Sequence, residues 1–156
     1  FTVAFWINTQ GVGSNQDPCI IANKNWQSGK NQGLAVALTS GEVRLNFGDG
    51  YNRVDCNLSL PSDYREGWMH IMIIVDRRNN TLSLVIDLKT IKTVSLTGSL
   101  QTNSMNTAYD CLNIGQDGTG KYNNSLPAVV DEIMIFEGAF DQSDINSLAE
   151  YYGMED

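Results

Sequence analysis

Short segments of alternating apolar and polar residues recur along this chain, each closed by a turn signal before the next begins. FTVAFWINT sets the pattern. Phe1, Val3, Phe5 and Ile7 point one way, and Thr2, Ala4, Trp6 and Asn8 point the other. WMHIMIIVDR is the strongest case, with Met69, Ile71, Ile73 and Val75 on one face and Trp68, His70, Met72 and Ile74 on the other. CIIANK, GLAVALT, EVRLNF, RVDCNLSL, TLSLVIDL, IKTVSL, CLNIGQ and AVVDEIMIFEG complete the strand-like set. Turns are expected at Ser40-Gly41, at Arg78-Asn79-Asn80 and, tightly, at Lys89-Thr90, while Pro61 ends the fifth strand. Only the end of the chain reads as helix. Asp141 is placed to cap it, Asp144 sits in its favourable first turn, and Gly153 is placed to stop it. Strands without intervening helices cannot form a βαβ sheet. The expected fold is all-β: an antiparallel two-sheet β-sandwich, or jelly roll, with one short C-terminal helix.

The 156 residues suffice for one domain, which at this size buries roughly 68–70% of its unfolded surface. We read residues 1–156 as that single domain. Charged residues make up 18% and the net charge is −8, so polarity comes from Asn, Gln, Ser, Thr and Gly. Nucleic acid is excluded as a partner, because phosphate binding needs a basic surface. An anionic membrane is disfavoured for the same reason, and no stretch is long and apolar enough to span a bilayer. Cys19, Cys56 and Cys111 fit no zinc or C-x-x-C spacing. They read as small buried hydrophobes, and any of three pairings stays open. The chain opens inside a strand without an initiator Met or a signal peptide, which we read as a segment of something longer.

Catalytic chemistry is sparse. The one histidine, His70, lies among Met and Ile and reads as a packed, hydrogen-bonded side chain, not a base. No serine sits in a nucleophile elbow. Asp131 and Glu132 are adjacent on a strand and are expected on opposite faces, and Asp131 is too far from Glu137 to form the carboxylate pair of a glycosidase.

Three polar, glycine-bearing loops carry the functional signal. NKNWQSGKNQG holds Asn23, Lys24, Asn25, Trp26 and Gln27. GDGYNRVD holds Asp49, Tyr51, Asn52, Arg53 and Asp55. GQDGTGKY holds Gln116, Asp117, Lys121 and Tyr122. Each loop alone is explained by turn chemistry. Together they offer amide, carboxylate and guanidinium groups for sugar hydroxyls, and aromatic rings for the apolar face of a pyranose. GDG and QDGTG resemble fragments of calcium loops without EF-hand spacing. Asp131 and nearby carbonyls are candidate oxygen donors to calcium.

At FTVAFWINT, DPCIIANKNWQSGKNQG, VRLNFGDGYNRVD, WMHIMIIVDR with TLSLVIDLK, LNIGQDGTG and VVDEIMIFEGAFDQSDI, the chain resembles the laminin-G-like jelly-roll branch of the concanavalin A-like lectin/glucanase superfamily. The resemblance covers nearly the whole chain. It implies two antiparallel sheets, an N-terminal strand or strands missing from this segment, and often a structural calcium near the final strand, with Asp131 as its ligand. It implies carbohydrate or cell-surface recognition without catalysis, in modules of secreted or surface proteins, hence an extracellular or cell-surface location. Asn23, Lys24, Trp26, Asp49, Arg53, Asp55, Gln116 and Asp117 carry over as the loop site. The expected function is a non-catalytic, lectin-like carbohydrate-binding module. The alternative is a structural or adhesive module contacting protein, including other domains of a larger secreted protein.

Overall fold

The computed structural model describes residues 1–9, 17–26, 29–39, 41–60, 64, 67–104, 111–122, 124 and 128–154. Ten strands follow in chain order: β1 (Thr2–Asn8), β2 (Cys19–Ala22), β3 (Gly33–Leu38), β4 (Glu42–Gly48), β5 (Arg53–Ser59), β6 (Trp68–Asp76), β7 (Thr81–Ile86), β8 (Thr90–Ser95), β9 (Asn113–Ile114) and β10 (Val129–Phe136). A 3₁₀ turn spans Gly98–Gln101, and helix α1 spans Gln142–Tyr152. The strands form two antiparallel five-stranded sheets, ordered β10-β1-β6-β7-β8 and β5-β4-β3-β2-β9.

The alternation read from the sequence assembles the sandwich. Val3, Phe5 and Ile7 of β1 and Met69, Ile71, Ile73 and Val75 of β6 face inward. There they meet Leu34, Val36 and Leu38 of β3 and Val43, Leu45 and Phe47 of β4. A continuous apolar layer between two sheets is the dominant stabilising term, because it removes both inner faces from water at once.

The outer face of the first sheet is apolar too. Ala4, Met72, Ile74 and Val85 are buried there beneath α1, which presents Ile145, Leu148, Ala149 and Tyr152 on one stripe at helical spacing. The Asp141 carboxylate accepts from the amides of Ser143 and Asp144, and the Asp144 carboxylate accepts from the Asp141 amide, so a complete capping box opens the helix. Gly153 ends it in the left-handed conformation, as expected. Buried Thr2 ties the link from β10 to α1 down onto β1: its hydroxyl donates to the Gly138 carbonyl at 3.0 Å and accepts from the Phe140 amide at 2.9 Å.

Several local expectations are corrected. The β7–β8 turn falls on Asp87-Leu88, both at positive φ, and not on Lys89-Thr90. Leu88 is drawn down into the cluster beneath α1, and that burial outweighs its dislike of the left-handed region. CLNIGQ contributes only the two residues of β9. In β10 the pairing with β1 slips between Ala4↔Met134 and Trp6↔Asp131, and Glu132 sits at φ 47°. This β-bulge breaks the alternation that would set Asp131 and Glu132 on opposite faces. Ser40 of the expected Ser40-Gly41 turn and Pro61 lie outside the described residues. The three cysteines are free, with Cys19 and Cys56 buried and Cys111 exposed. Burial, reinforced by Asp117 and Asp17, pushes the Cys19 thiol up to about 12, which keeps it unreactive.

Candidate functional site

The second sheet carries no helix on its outer face among the described residues. Its strands β4 and β5 turn Val43, Leu45, Phe47 and Cys56 into the core, so Arg44, Asn46, Arg53, Asp55 and Asn57 point out. The register sets Arg44 against Asn57 and Asn46 against Asp55, the contact geometry of cross-strand neighbours. Beside this polar strip the sheet becomes small-residued. Cys19, Ala22 and Ala35 leave room for Trp26 and Tyr122 to lie over the strands, their ring centroids 6.3 Å apart. A cavity of about 130 Å³ results, lined by Asp17, Trp26, Arg44, Asn46, Arg53, Asp55 and Asn57 among others.

The three loops do meet here. The Gly50 amide donates to the Lys30 carbonyl at 2.7 Å, the Gly118 amide to the Lys24 carbonyl at 2.8 Å, and the Trp26 amide to Asp117 Oδ2 at 3.1 Å. Two glycines permit the approach. A Cβ on Gly48 would lie 2.4 Å from the Asn31 carbonyl oxygen, and one on Gly118 would lie 2.5 Å from the Asn23 backbone. Trp26 therefore bonds to Asp117 and shares a cavity with Arg53.

The residues named from the sequence divide into two groups. Asn23, Lys24, Asp49 and Asp117 direct their polar atoms inward and build the loops. Asn23 Oδ1 accepts the Leu34 amide at 2.8 Å. Lys24 is fully buried, and its ammonium donates to the Gly29 carbonyl at 2.7 Å and to Asn46 Oδ1. Burial, aided by the nearby Arg53 charge, pulls its pKa down to about 8. Asp49 Oδ1 accepts the amides of Tyr51 and Asn52, and Oδ2 accepts Asn103 Nδ2. Asp117 Oδ1 accepts the Thr119 amide and hydroxyl. Burial acts to raise the pKa of both carboxyls, but their hydrogen bonds outweigh it and hold both below the ordinary range. Arg53, Asp55, Trp26, Tyr122 and Gln116 keep exposed or half-exposed surface. Gln27 lies outside the described residues.

The loop-centred reading missed the strand-borne half of the cavity: Asp17, Arg44, Asn46 and Asn57. Three of these were marked by the alternation of EVRLNF and RVDCNLSL, in which every second residue is polar and must face away from the core. The lining is laced by ion pairs: Arg44–Asp17 at 2.7 Å, Arg44–Glu42 at 2.8 Å and Arg53–Asp55 at 2.8 Å. Asn46 Nδ2 also donates to Asp55 Oδ1 at 2.6 Å. Beneath the surface, Lys24 and Asn46 thus hold Asp55 from below while Arg53 holds it from the side.

The calcium candidate Asp131 and the packed His70 lie on the opposite sheet. Asp131 is exposed, and its Oδ1 accepts the Glu132 amide. Among the described residues, no group of three or more His, Cys, Asp and Glu side chains is arranged to hold a metal ion. His70 is fully buried, with its ring packed against Trp6 at 5.1 Å and Tyr152 at 5.7 Å. It is packed as expected, but neither ring nitrogen has a hydrogen-bond partner among the described residues, and burial pushes its pKa down to about 4.

A laminin-G-like family model, described as Concanavalin A-like lectin/glucanases superfamily, matches residues 1–146. No curated protein matches the chain significantly. Among solved structures, the binding domain of botulinum neurotoxin serotype D/C aligns with TM-score 0.68 at 18% identity, covering 96% of this chain and 36% of that one. The serotype D binding domain gives TM-score 0.71 at 14% identity, covering 97% and 35%. The binding domain of botulinum neurotoxin DC in complex with rat synaptotagmin II gives 0.65 at 20% identity, covering 96% and 35%. At these identities the likeness is one of fold alone. The chain spans about a third of the length of these structures.

Proposed function

This chain belongs to the concanavalin A-like lectin/glucanase superfamily, and from that premise we propose that it is a non-catalytic carbohydrate-binding module whose ligand lies in the cleft between Trp26 and the outward residues of β4 and β5. The observation that carries this reading is the pairing of a polar, cross-strand floor with a single indole wall. Sugar hydroxyls exchange water for protein with little net gain, so fixed donors and acceptors supply orientation while the ring stacked on a pyranose face supplies much of the energy. Arg53 and Asp55 are exposed hydrogen-bonding groups, Asn57 is a half-exposed one, and Trp26 is the stacking surface. The two carboxylates of the cleft, Asp17 and Asp55, are each bound to a guanidinium. Neither forms the unobstructed acid–base pair across a groove that glycoside hydrolysis uses. The module acts outside the cell or at its surface, within a larger secreted protein.

A glycan array tests this directly. Wild type retains at least one oligosaccharide class, and Trp26→Ala weakens that binding by about ten-fold or more. The variant stays folded with its melting temperature lowered by a few degrees, since Trp26 only half-buries against Cys19, Ala22 and Ala35. Unchanged glycan binding in Trp26→Ala would defeat the assignment. A second reading, adhesion to protein, is favoured by edge strand β10, which leaves Val129 45% and Ile135 62% exposed. It predicts that no glycan is retained.

A further inference from the structure

Resting on the carbohydrate reading, we infer that the cleft selects uncharged glycans and turns acidic ones away. Among the described residues, three cations stand at or beneath it, and each is already answered. Arg44 is held between Asp17 and Glu42, Arg53 is held by Asp55 through both Nε and Nη2, and Lys24 is fully buried with its ammonium on the Gly29 carbonyl and Asn46 Oδ1. Among the described residues, Lys24, Arg44 and Arg53 are set against Asp17, Glu42, Asp55 and the Asp117 carboxylate on the Trp26 amide, so no positive charge is in excess. A uronate, sialylated or sulfated sugar would have to evict a carboxylate from its guanidinium or add an unmatched negative charge. Its approach is opposed as well by a chain carrying a net charge of −8. An uncharged sugar meets no such cost. Its hydroxyls need only donors and acceptors, and the chain of bonds from Lys24 through Asn46 to Asp55, braced by Arg53, holds one carboxylate in a fixed direction for them. Recognition by neutral hydroxyls is insensitive to salt, whereas capture of an anion by free arginines is not.

The test is titration of the intact chain with matched neutral and acidic oligosaccharides at low and high salt, with Asp55→Asn and Asp17→Asn beside wild type. Neither substitution changes side-chain size: Asp55→Asn frees the Arg53 guanidinium, and Asp17→Asn leaves Arg44 with Glu42 as its one remaining carboxylate. Wild type should bind the neutral member about five-fold or more tightly than the acidic one, with little response to salt. Asp55→Asn should narrow that gap and make acidic-glycan binding salt-sensitive, and Asp17→Asn should do the same through Arg44 to a smaller extent, because Glu42 still holds that guanidinium. Preference of wild type for the acidic member, or unchanged selectivity in both variants, overturns the inference while leaving carbohydrate binding intact. Binding of neither class overturns the carbohydrate reading itself, and this inference with it.

Discussion

The two outer faces of this sandwich are built by the same strand alternation and end in opposite states. On the first sheet, β1 and β6 send out Ala4, Trp6, His70, Met72 and Ile74, and α1 closes over them with Ile145, Leu148 and Tyr152. On the second, β4 and β5 send out Arg44, Asn46, Arg53, Asp55 and Asn57, and among the described residues Trp26 and Tyr122 lie over the neighbouring small residues. Inward residues are apolar on both sheets and so fix the fold without distinguishing the faces. The outward residues decide which face is a second core and which is a surface for a ligand. An apolar outer face must be covered, whereas a polar one with satisfied ion pairs is stable in water and left free to bind.

The sharpest way to break the covered face is Ile145→Ala, since Ile145 is the helix's one fully buried residue among those described. The loss should be about 3 kcal/mol, read by thermal or denaturant unfolding. Glycan binding at the opposite face should be unchanged at temperatures where the variant is folded. A comparable loss of affinity would show that the two faces are not independent.

Acidification probes the covered face next. Among the described residues His70 has no partner for either ring nitrogen, and its folded pKa of about 4 lies below the ordinary 6.5 because of burial. Between those values the unfolded chain takes up a proton that the folded chain refuses, so stability rises with pH and falls as pH drops. From pH 7 to 5 the decline attributable to this one group is roughly 2 kcal/mol. The lowered carboxyls of Asp49, Asp76 and Asp117 lose their contribution only at lower pH. Unfolding of His70→Leu across the same range should therefore be nearly flat. A slope equal to that of wild type would remove His70 as the cause.

Most of the fold was legible because its signals are local. Alternation in FTVAFWINT and WMHIMIIVDR named the inner and outer faces, and Asp141 and Gly153 named both ends of the helix. What stayed hidden depends on neighbours that are remote in sequence. The Glu132 bulge arises from a pairing slip against β1, and the turn at Asp87-Leu88 is set by a pocket under α1. In the candidate site, the three loops were recognised, but the inward direction of Lys24 and Asp117 was not. Lys24 finds Asn46 across twenty-two positions, and Asp117 finds Trp26 across ninety-one. The strand-borne Arg44 and Asn57 were readable from alternation. Turn-rich loops attract attention because Asp, Asn and Gly are common to turns and to sugar sites alike.

The comparison between the faces comes down to which indole responds to ligand. The chain has three tryptophans, one in the open cleft and two on the first sheet, so each indole N–H gives its own NMR signal. On titration with a neutral oligosaccharide, the Trp26 indole signal should shift with saturation while those of Trp6 and Trp68 hold still. Movement of Trp68 or Trp6 with Trp26 unmoved would place recognition on the wrong face and contradict the account.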